Sequence, residues 1–81
     1  MNYQVKLFAS LKEGVGADHW TYTSEAPLKG SELLAAFFAT FAALDGLKRV
    51  TRLAVNQAFC ADDPLLREED EIALIPPVSG G

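Results

Sequence analysis

Chemistry in a chain of 81 residues with one histidine and one cysteine has few places to sit. His19 is the sole imidazole, so any histidine general acid or base is this residue. It lies in His19-Trp20-Thr21-Tyr22-Thr23, an alternating β-prone stretch that reads as surface strand. Cys60 has no basic neighbour in sequence to lower its thiol pKa, has no partner for an internal disulfide, and reads as a small buried or half-buried thiol. One Cys and one His are too few for the usual four-ligand metal site. The run Glu68-Glu69-Asp70-Glu71 reads as a solvated acidic turn, and Gly14-Val15-Gly16 lacks the third glycine and the strand-to-helix setting of a phosphate loop.

What remains is the chain end, Pro76-Pro77-Val78-Ser79-Gly80-Gly81. Two glycines without Cβ atoms let a backbone thread a narrow channel and leave the terminal carbonyl open to a nucleophile. A carboxylate is a poor electrophile, so Gly81 would first need activation, for which an acyl-adenylate made from ATP is the usual biological means. Two prolines favour an extended backbone. From Ile75 to Gly81 such an arm spans roughly 20 Å at about 3.3 Å per residue, enough to enter another protein's pocket. The expected division is a domain over 1–75 and a tail over 76–81, with Gly81 reacting and Gly80 giving it access.

Composition bounds the class of protein. Hydrophobic residues make up 49% of the chain, with five Phe, two Tyr and one Trp, which excludes a disordered polymer. A domain this small buries only about 60 to 65% of its unfolded surface, so its core must be strongly apolar. A net charge of −4 argues against nucleic acid and suits a protein partner with a basic pocket. No apolar run reaches membrane-spanning length, and the start MNYQVKLF lacks the pattern of a secretory signal, so a soluble cytoplasmic protein is expected.

The elements that must position the tail are legible from periodicity. Tyr3 to Phe8 alternates, with Tyr3, Val5 and Leu7 on one face and Gln4, Lys6 and Phe8 on the other. Ala9 to Gly16 reads as a turn or one helical turn, and His19 to Thr23 returns as the second strand of a hairpin. Ser31 to Asp45, rich in Ala and Leu and stopping at Gly46, predicts one long helix whose stripe is Leu33, Phe37, Phe41 and Leu44, widened by Leu34 and Phe38. Arg52-Leu53-Ala54-Val55 and Ala58-Phe59-Cys60 are short strands about an Asn56-Gln57 turn. Glu71 to Ile75 is the last strand, stopped at Pro76, whose nitrogen cannot donate to a ladder. The order predicts an α+β fold, a mixed sheet of about five strands with one main helix on one face, as in the ubiquitin-like β-grasp.

Several of these stretches resemble the MoaD-like family, the small sulfur-carrier subunits of molybdopterin synthase. They are Leu7-Phe8-Ala9 with Lys12-Glu13 and Val15-Gly16, Ala54-Val55-Asn56-Gln57, Pro64-Leu65, Asp70-Glu71-Ile72-Ala73 and the closing PPVSGG. The similarity covers nearly the whole chain, and the ending is its most specific part. Glu69 stands where the family often has glycine, and Lys29-Gly30 replaces a better helix-capping pair.

The resemblance implies a cycle in which a ubiquitin-activating-like, MoeB-like enzyme uses ATP to adenylate Gly81, and sulfur then displaces AMP to leave a thiocarboxylate. It implies that a large MoaE-like subunit receives the tail through Pro77, Val78 and Ser79. There the sulfur would attack the cyclic pyranopterin monophosphate precursor and build the dithiolene of the molybdenum cofactor. Two small and two large subunits are implied, with no cofactor bound by this chain. In a β-grasp sheet the first and last strands lie parallel, so outward-facing Phe8 and Ile75 are expected as neighbours where the tail departs, with Phe59 and Pro76 extending an apolar docking patch. Rival readings are a sulfur carrier for thiamine thiazole synthesis, a ubiquitin-like modifier that delivers the same carboxylate to lysine, and a plain interaction domain.

Overall fold

The computed structural model describes residues 1–60 and 62–77. Five strands form one mixed sheet: β1 (Asn2–Leu7), β2 (His19–Thr23), β3 (Arg52–Val55), β4 (Ala58–Phe59) and β5 (Ile72–Ile75), in the order β2-β1-β5-β3-β4. The central pair, β1 and β5, is parallel, with Val5 opposite Ile72 and Leu7 opposite Leu74. The other pairings are antiparallel.

The period of two then decides everything about the faces. Tyr3, Val5 and Leu7 of β1, with Leu53, Ile72 and Leu74, point to one side and are buried. Leu33, Phe37 and Phe38 of helix α2 (Gly30–Thr40) belong to the same buried cluster, which is the core. Trp20 edges onto Phe37 with ring centroids 5.2 Å apart, in the T-shaped geometry that aromatic quadrupoles favour. Tyr3 is fully buried, and its hydroxyl accepts the Leu28 amide at 3.1 Å, which satisfies the one polar atom it brings inside.

Two expectations need correcting. Residues Ala9–Val15 form a seven-residue helix, α1, longer than the turn or single helical turn expected there. It ends at Gly16, whose φ of 83° and amide bond to the Lys12 carbonyl make a left-handed C-cap.

The long helix is also two pieces. α2 stops at Thr40, whose hydroxyl bonds back to the Ala36 carbonyl at 2.8 Å, and a 3₁₀ segment runs over Ala42–Val50, straight past Gly46. Phe41, Leu44 and Leu47 are spaced by three, which matches three residues per turn, and all three pack against the core. An α-helical continuation would rotate that spacing off one line.

The weak Lys29-Gly30 start of α2 is capped from a distance. Glu32 reaches back to accept the Lys29 amide at 2.9 Å, and Asp63 accepts both the Ser31 amide at 2.7 Å and the Ser31 hydroxyl at 2.6 Å. Gly30 itself suits the site, because a Cβ there would collide with the Leu53 side chain.

The Asn56-Gln57 turn has both residues at positive φ, 53° and 69°, the pattern of the hairpin turn whose twist matches its strands. Asn56 also ties the hairpin to β5: its amide donates to the Glu71 carbonyl at 2.8 Å and its side-chain oxygen accepts the Glu71 amide at 3.0 Å. Glu69 is not among the positive-φ residues, so the turn it occupies has no need of the family's glycine.

Candidate functional site

The acids that form a cluster in sequence are dispersed by structural contacts. Glu68 accepts the Asn2 amide at 2.8 Å, Asp70 accepts the Arg67 amide at 2.9 Å, and Glu71 pairs with Lys6 at 3.4 Å. Exposed His19 bonds its neighbour Asp18 at 2.7 Å, and that hydrogen bond holds the Asp18 carboxyl below its ordinary pKa. Cys60 is half-buried and lines an open hollow of about 410 Å³ beside Ser31 and Asp63, at the start of α2. Among the described residues no group of three or more His, Cys, Asp or Glu is placed to hold a metal ion.

The face opposite the core is different. Phe8 continues β1 in extended conformation, with φ −130° and ψ 156°, so its ring falls on the outer side of the sheet. It cannot turn inward without breaking the alternation that buries Leu7. The Phe8 carbonyl accepts the amides of Leu11 and Lys12, at 3.1 and 3.3 Å, which anchors its backbone at the start of α1. Its side chain remains 45% exposed, and that of Phe59 51%.

Register brings the rest together. Lys6 faces Ala73 across the parallel pair, Arg52 faces Ile75, and Ala54 faces both Ala73 and Phe59. Apart from Arg52, these outer-face residues line a hollow of about 200 Å³, floored by Ala54 and Ala73 and walled by Phe8, Phe59 and Ile75. A second hollow, about 320 Å³, adjoins it between Phe8, Ala9, Ile75 and Pro76. Pro76 is buried and Pro77 exposed, so the chain leaves the sheet at the edge of this apolar surface. Phe8, Phe59, Ile75 and Pro76 thus stand around one region, beside the exit of the tail. The expectations for Val78, Ser79, Gly80 and Gly81 lie outside the described residues.

Two features escaped sequence reasoning. One is the alanine floor, visible in principle as small residues on the outer face of both β3 and β5. The other is Arg52, whose guanidinium lies 4.1 Å from the centroid of the Phe59 ring.

The described helices include none long and apolar enough to cross a membrane. Residues 5–81 match the family model described as the ThiS family. Over 83 aligned residues the chain is 34% identical to the molybdopterin synthase sulfur carrier subunit of Chlamydomonas reinhardtii, with both chains covered in full. Among solved structures, SAMP1 of Haloferax volcanii superposes with a TM-score of 0.80 at 27% identity, again over the whole of both chains. A chain from the complex of subunits 1 and 2 of the molybdopterin-converting factor of Helicobacter pylori shares the fold, with a TM-score of 0.70 at 24% identity and full coverage of both chains. With a family model spanning all but its first four residues and a relative matched end to end, the chain belongs to the ThiS/MoaD family, and its fold is the ubiquitin-like β-grasp.

Proposed function

We propose that this protein is the sulfur-carrier subunit of molybdopterin synthase, working in the cytoplasm. The observation that carries this reading is the end-to-end similarity to a protein of that name. Fold and chain exit support it, because Pro76 brings the tail out beside the apolar hollows instead of over a polar face. The Gly81 carboxylate attacks the α-phosphorus of ATP on a MoeB-like activating enzyme, releasing pyrophosphate and leaving an acyl-adenylate. A sulfur nucleophile then adds to the acyl carbon and AMP departs, which leaves a thiocarboxylate. The apolar face around Phe8, Phe59 and Ile75 docks on a large MoaE-like subunit, and Val78 to Gly81 enter its active site. There the thiocarboxylate sulfur attacks the cyclic pyranopterin monophosphate precursor, water cleaves the resulting acyl–sulfur bond to return the Gly81 carboxylate, and two such transfers supply the two sulfurs of the dithiolene. The acid, base and phosphate-binding groups belong to the large subunit, in an assembly of two small and two large chains.

The test is turnover. The thiocarboxylate form, mixed with the large subunit and precursor, is expected to yield dithiolene product, while the carboxylate form yields none; equal yields would overturn the reading.

Similarity over the full length to SAMP1, a small archaeal modifier protein, favours a second use of the same carboxylate, transfer to a lysine amine as an isopeptide. Isopeptide-linked conjugates ending in Gly81, sought by mass spectrometry in cells, would establish that use, and their absence would leave the carrier role alone.

A further inference from the structure

The docking face carries a charge that its apolar residues do not explain. Arg52 sits directly opposite Ile75 and diagonally across from Phe59, which pairs with Ala54 two residues along β3. Diagonal neighbours on one face of an antiparallel pair are within reach of long and aromatic side chains. Accordingly the guanidinium lies over the Phe59 ring, 4.1 Å from its centroid. A guanidinium held over a ring by its face leaves N–H groups that a carboxylate can engage in a fork.

The other cation on this face is already matched. Lys6, across the hollow, is paired with Glu71 at 3.4 Å, whereas no ion pair among the described residues includes Arg52. A chain of net charge −4 therefore presents, beside an apolar surface recess, a pre-positioned positive group with no ion-pair partner among the described residues. Pre-positioning matters because the stack has already restricted the long side chain, so less freedom is lost on binding. The recess itself exists because Ala54 and Ala73 are small where Phe8, Phe59 and Ile75 around them are large. An apolar hole of this kind is filled in complexes by one bulky anchor side chain.

We propose that Arg52 is a specificity-determining residue of this face. The partner surface places one large apolar side chain into the Ala54-Ala73 hollow and a carboxylate beside it, against the Arg52 guanidinium. The inference rests on the reading that the large subunit docks here, and it adds the chemistry of what docks. The overall acidity of the chain favours a basic partner at long range, while this contact requires an acidic residue at short range.

Titration of the large molybdopterin synthase subunit with wild type, Arg52→Gln, Arg52→Glu and Phe8→Asp over a salt series tests it. Arg52 is exposed, so each of its variants is expected to melt like wild type. Arg52→Gln, which keeps a planar group over Phe59 without the charge, is expected to weaken binding at least about ten-fold and to flatten its salt dependence. Arg52→Glu is expected to bind more weakly still. Both Arg52 variants binding like wild type, with Phe8→Asp failing to bind, would overturn the role of Arg52 and leave the docking reading standing. Unchanged binding by Phe8→Asp would remove the docking reading itself.

Discussion

Phe8 owes its exposure to one step of register. Tyr3, Val5 and Leu7 occupy the core side of β1, so the next residue must face out whatever its polarity. An aromatic ring in that position, beside Ile75 and above an alanine floor, makes the exposed apolar patch on which the proposed docking rests. Phe8→Asp is expected to abolish binding of the large subunit while leaving the melting temperature within a few degrees of wild type, checked by titration and thermal unfolding side by side. Asp63 shows the residue scale acting on stability. Its hydrogen bonds from Ser31 hold its pKa below the ordinary value of 3.8. A depressed folded pKa means that the unfolded chain takes up the proton first, so the stabilisation is complete above the ordinary value and is lost as pH falls through the folded one. Asp63→Ala is therefore expected to lower the melting temperature at neutral pH, with the gap from wild type closing below about pH 4.

At the scale of elements, the sheet was easier to read than the helices. Alternation in Tyr3 to Leu7 and His19 to Thr23, and the proline after Ile75, mark strands within a residue or two of where they lie. Leu33, Phe37 and Phe41 do signal a helix, but Leu44 is compatible with either period at that boundary. Only packing of Phe41, Leu44 and Leu47 together decides for the tighter coil. The cap on α2 was invisible in sequence because Asp63 comes from 32 residues away. Helix α2 supplies the fully buried ring of Phe37, so Phe37→Ala is expected to cost about 3 to 5 kcal/mol, measured by urea unfolding. That is a large share of what a domain this small possesses. The β3-β4 turn offers the opposite sign. Gln57 has a φ of 69°, which glycine adopts without penalty, so Gln57→Gly is expected to gain up to about 1 kcal/mol in the same assay.

For the whole molecule, parallel pairing of β1 with β5 links fold to function. It sets the ends of the two strands side by side, so that one face holds both the apolar hollows and the exit of the chain. The alternating pattern put Phe8 and Ile75 on the outer face, and the β-grasp expectation of parallel first and last strands brought them together. Arg52 was not foreseen, because the diagonal to Phe59 exists only once β3 and β4 are paired in this register. The central claim, however, concerns the last carboxylate rather than the face that delivers it. It is tested by incubating the protein with ATP, a sulfur source and the activating enzyme, then determining its mass and locating any change by fragmentation. The expected result is exchange of one oxygen for one sulfur at Gly81, dependent on ATP and absent when Gly80 and Gly81 are deleted. A mass that stays at the carboxylate value with an active activating enzyme present would contradict the account.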